Sequence, residues 1–86
     1  MELSELDIVV YIYPSRDKIQ KIIIVNPFDN KVLILMANSF DDIKSALKEL
    51  PFDIDGEIYG GKAIIVEWGS QNIIAEIYSE SDIQNL

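Results

Sequence analysis

The stretch "PFDIDGEIYGGK", residues 51–62, holds the chain's densest set of side chains that could do chemistry: Asp53, Asp55 and Glu57 alternate along it, interleaved with Gly56, Gly60 and Gly61. Alternating oxygen ligands followed by a glycine are what a helix–loop–helix calcium site uses, because a hard divalent cation needs six or more oxygens from a sharply turning loop. The pattern stops short of that. Such a loop has a further ligand before its glycine and a glutamate after it, where this chain has Lys62, and the flanking segments read as strands rather than paired helices. Asp55-Gly56 is a common turn dipeptide, so the stretch reads as two turns around a short strand with hydrated carboxylates. Gly60 and Gly61 lack the lysine–serine ending and the strand–loop–helix setting of a phosphate loop.

Catalysis has little to work with. The chain contains no histidine and no cysteine, which removes the side chain best suited to proton transfer near neutrality, the thiolate nucleophile, disulfides and the usual transition-metal ligand sets. A carboxylate pair can act as acid and base where burial drives the two pKa values apart, and Glu67 with Glu76 is the pair to consider, since both interrupt apolar runs on strands flanking the turn "GSQ". Their simpler reading is as solvent-facing residues, because burying two like charges together is costly. No catalytic residue, metal ligand or cofactor is assigned.

Charge is more informative. The 86 residues carry a net charge of −8. Residues 1–48 hold seven acids against six bases, and residues 49–86 hold eight acids against Lys62 alone. A nucleic-acid binder needs clustered Lys and Arg to neutralise phosphates, and only Arg16, Lys18, Lys21 and Lys31 approach a cluster. The acidic half instead suits a basic protein surface. Tyr11 and Tyr13 share one face of their strand, while Trp68 and Tyr78 stand at strand ends, where amphipathic rings commonly anchor interfaces.

The elements that must position these groups follow from the apolar pattern. "DIVVYIY" (7–13), "IQKIIIV" (19–25) and "VLILMA" (32–37) are β-branched or apolar runs separated by the turns "PSRDK" and "NPFDNK". The second and third do not alternate, which predicts cover on both faces, by a helix on one side and by another sheet or subunit on the other. "SFDDIKSALKEL" is an amphipathic helix: Ser39 is its N-cap, Asp41 and Asp42 sit at its positive end, Phe40, Ile43, Ala46, Leu47 and Leu50 make its apolar face, and Pro51 ends it. Residues 57–59, 62–68 and 72–78 read as a second meander, with Gly60-Gly61 as a hairpin turn. "PFDN" and "PFDI" recur 24 residues apart without extending into a repeat. The tail, residues 79–86, forms one loose helical turn or frays.

The expectation is one small α+β domain over residues 1–86, two small antiparallel meanders in βββαβββ order packed with one amphipathic helix. At 49% hydrophobic with sixteen isoleucines, it has apolar material to spare for self-association. The start lacks the basic region of a signal peptide and no run reaches membrane-spanning length, so a cytoplasmic location without membrane association is expected. The functional expectation is a non-enzymatic acidic protein-binding module, an inhibitor or nucleic-acid mimic occupying a basic surface of its partner, with Asp53, Asp55, Glu57, Glu67, Trp68, Glu76 and Tyr78 as partner-binding residues and no direct contact with nucleic acid. A structural homo-oligomer is the second reading, and a small carboxylate-dependent metal binder or enzyme the third.

Overall fold

Alternation dictates the first strand. In β1 (Ile8–Pro14) the residues Ile8, Val10 and Ile12 are fully buried while Val9, Tyr11 and Tyr13 on the other face are half-buried. β2 (Ile19–Asn26) and β3 (Lys31–Met36) continue antiparallel to it. The computed structural model, which describes residues 7–86, then places β4 (Ala63–Glu67) parallel to β1 and β5 (Ile73–Ile77) antiparallel to β4. The α+β class, the strand–strand–strand–helix order and the single amphipathic helix between the two strand groups are as the sequence predicts. The two groups meet edge to edge in one sheet of order β3-β2-β1-β4-β5. A row of residues on one face, Leu33, Ile24, Val10, Ile65 and Ala75, runs across all the strands.

The helix α1 (Phe40–Ala46) begins where Ser39, in extended conformation, accepts a bond from the Asp42 N–H. It tightens into a 3-10 turn, Leu47–Glu49, and stops as Leu50 becomes extended before Pro51. Ile43 and Leu47 are wholly buried against the sheet, and Leu50, Ile58 and Ile83 close the core beside them. Residues 57–59, expected as a strand, make only isolated bridges, Phe52 with Ile58 and Glu57 with Ser79. The segment is too short to run as a strand between Gly56 and Gly60, whose φ angles are 78° and 90°. The tail forms a helical turn, α2 (Glu80–Gln84), held by a reciprocal capping box between Ser79 and Asp82.

Within one chain the described residues do not cover both faces of β3. A helix is about 10 Å across and strands are spaced about 4.8 Å apart, so one helix covers roughly two strands. α1 packs against β2, and α2 with the loop from Phe52 to Ile58 serves the β4–β5 side. On the α1 side this leaves Leu33 of β3 exposed at 41%, and on the opposite face Val32, Ile34 and Met36 are exposed at 62, 57 and 77%.

Candidate protein-binding surface

The loop before β4 is organised by one carboxylate. Asp53 Oδ1 accepts the N–H groups of Asp55 at 2.8 Å and Glu57 at 3.1 Å, while the Asp53 carbonyl accepts the Gly56 N–H. This is the turn anticipated from Asp55-Gly56. Among the described residues no group of three or more acidic side chains is arranged to hold a metal. The turn throws Ile54 outward with its side chain fully exposed, between Asp53 and the exposed Asp55.

The tail brings Tyr78 to the same end of the sheet. The Ile58 N–H donates to the Tyr78 carbonyl at 2.8 Å and the Glu80 N–H to the Gly56 carbonyl at 2.9 Å. Asp82 Oδ2 accepts the N–H groups of Tyr78 and Ser79, so its charge serves the cap rather than solvent. Glu76 pairs with Lys62 at 3.2 Å, and that hydrogen bond, ahead of the nearby charges of Glu76, Tyr78 and Asp7, raises the Lys62 pKa above its ordinary 10.5. Across the end, Phe28 from the β2–β3 turn packs edge-on to Tyr59 with ring centroids 6.1 Å apart. Tyr59 and Tyr78 are exposed at 63 and 50%.

Glu67 and Trp68 lie at the opposite end. β4 pairs Ile64, not Glu67, with Glu76, so the two glutamates are separated by three strand positions, about 10 Å along the sheet. They form no acid–base pair. Glu67 accepts the Arg16 N–H at 2.6 Å and the Ser70 hydroxyl. The Ser70 bond first, then the Arg16 N–H and the Arg16 charge, hold its carboxyl below the ordinary value of 4.5. Trp68 packs edge-on to Tyr11 and Tyr13, at 5.2 and 5.9 Å between centroids, with the Lys21 ammonium 4.7 Å over Tyr13.

The seven residues singled out in the sequence therefore divide: Asp53, Asp55, Glu57, Glu76 and Tyr78 share one end, and Glu67 with Trp68 the other. Ile54 and Tyr59 were missed. An isoleucine inside a turn dipeptide's flank, D-I-D-G, cannot reach the core, and that was a readable signal for Ile54. No protein family, curated protein or solved structure matches the chain.

Proposed function

We propose that this protein is a non-catalytic binding module that docks its acidic, apolar-tipped end onto a basic surface of another protein. The observation carrying this reading is Ile54, fully exposed at the tip of a turn that its neighbour's carboxylate makes rigid. Burying such a side chain at an interface is worth about 2 kcal/mol, and preorganisation lowers the ordering cost. Tyr59 and Tyr78 supply amphipathic rings beside it, and Asp55, Glu57 and Glu80 supply a carboxylate rim that attracts lysine and arginine and repels nucleic acid. A partner whose basic surface ordinarily holds phosphates would meet carboxylates in their place, which is how such a module inhibits or mimics.

The test is capture with the tagged chain from extract of the cells that express it, at low and high salt, beside the variants Ile54→Ser and Asp55→Lys/Glu57→Lys. A basic protein retained at low salt, released at high salt and lost in both variants is the expected result. Recovery of nothing above background, or of a partner indifferent to both variants, refutes the reading.

A further inference from the structure

β3 is an open edge of the sheet, and the ladder shows which of its main-chain groups lack a partner strand. The Ala37 N–H donates to the Gln20 carbonyl at 3.2 Å, and hydrogen-bonded pairs in an antiparallel ladder recur at every second residue. The register stays unbroken through Leu35 opposite Ile22 and Leu33 opposite Ile24. Leu33, Leu35 and Ala37 therefore direct their N–H and C=O groups to β2, and Val32, Ile34 and Met36 direct theirs outward, where no strand lies among the described residues. The same three residues expose their side chains on the face away from α1. Monomeric sheets blunt such edges with charge, proline or a bulge, and between Val32 and Met36 there is none of these.

We infer that β3 pairs with β3 of a second copy of this chain, antiparallel and centred on Ile34, to make one continuous sheet across a twofold axis. The strand's own sequence selects a second copy as its occupant. "VLILM" is close to symmetric about Ile34, with Leu33 and Leu35 equidistant and apolar residues at both ends. In this register Ile34 meets Ile34, Val32 meets Met36 and Leu33 meets Leu35 of the other copy, each pair on a common face, and every outward N–H and C=O of Val32, Ile34 and Met36 gains a partner. A slip of one residue sets side chains on opposite faces. Centring on Leu33 sets Met36 against Asn30, a turn residue whose φ of 54° lies outside the extended range.

Charge fits the same arrangement. Lys31, the one charged residue of β3, lies at the end of the pairing opposite Ala37 of the second copy, from which that chain enters the first turn of its α1. There Asp42 lines the open groove between α1 and β3. Pairing at the edge buries the outward main chain of Val32, Ile34 and Met36 and the facing flanks of their side chains.

Sedimentation equilibrium over a range of concentrations tests the association, and cysteine pairing tests the register, the natural chain having no cysteine. Ile34→Arg, an exposed substitution that sets like charges against each other on the axis, should weaken the dimer by about tenfold or more with unchanged circular dichroism. Under mild oxidation, Leu33→Cys mixed with Leu35→Cys should yield the crosslinked dimer, while each alone, with its thiols diagonal across the axis, should not. A chain that stays monomeric at several hundred micromolar, a dimer indifferent to Ile34→Arg, or crosslinking of Leu33→Cys by itself would overturn the inference.

Discussion

At the residue scale, the two groups most constrained by their surroundings are Glu67 and Gly60. The Glu67 pKa is depressed in the folded chain, chiefly by the Ser70 hydroxyl and then by the Arg16 N–H. A depressed carboxyl contributes stability that is present above its unfolded pKa and lost as pH falls through the folded value. The gap in stability between the natural chain and Glu67→Gln should therefore narrow as pH drops below about 4.5, followed by urea unfolding at a series of pH values. Ser70→Ala should move the Glu67 titration, read by NMR, back up toward the ordinary carboxylate range. Gly60 is constrained sterically. With φ at +90°, a Cβ there would collide with the Phe28 ring. Gly60→Ala should cost about 2 kcal/mol, and adding Phe28→Ala should recover only the part due to the ring, leaving the backbone cost, as a double-mutant cycle will show.

At the scale of elements, α1 is short enough for its start to matter. The Ser39 hydroxyl accepts the Asp42 N–H at 3.2 Å, and the Asp42 carboxylate reaches back to the Asn38 N–H at 3.0 Å. The acid thus serves the residue before the cap rather than the cap itself, unlike the reciprocal box at Ser79 and Asp82. Ser39→Ala should lower stability by about 1 kcal/mol, seen as a lower urea midpoint with an unchanged slope. The helix packs on one face of the sheet only, so Val32, Ile34 and Met36 on the other face of β3 stay open.

For the whole molecule, the distribution of charge sets two opposite responses to salt. Each copy carries −8, so two copies repel one another while their β3 strands meet through apolar side chains. Raising ionic strength from about 20 to about 200 mM shortens the Debye length and should tighten self-association. The same change should weaken docking of Asp55, Glu57 and Glu80 on a basic partner. Sedimentation and partner capture measured on one salt series check both, and a common direction would show that a single surface serves both contacts.

Much of the local structure was determined by the sequence by itself: the alternation of β1, the Ser39 cap, the stop at Pro51, the turn at Asp55-Gly56 and the lack of histidine and cysteine chemistry. Each of these depends on interactions within a few residues, which a linear pattern records. Tertiary structure alone decided that β1 pairs in parallel with β4, which merges two strand groups into one sheet and brings Tyr78 and Glu76 to the end where Asp53, Asp55 and Glu57 turn. Glu67 and Glu76 are apart for a local reason, since the turn after Glu67 sets it beside Asn72 and leaves Glu76 opposite Ile64. The sequence left most open at "VLILMA". An unbroken apolar run looks the same whether a strand is enclosed or left at an edge for another chain, since hydrophobicity reports what a residue avoids, while strand order and the face on which the helix packs decide what is present to cover it.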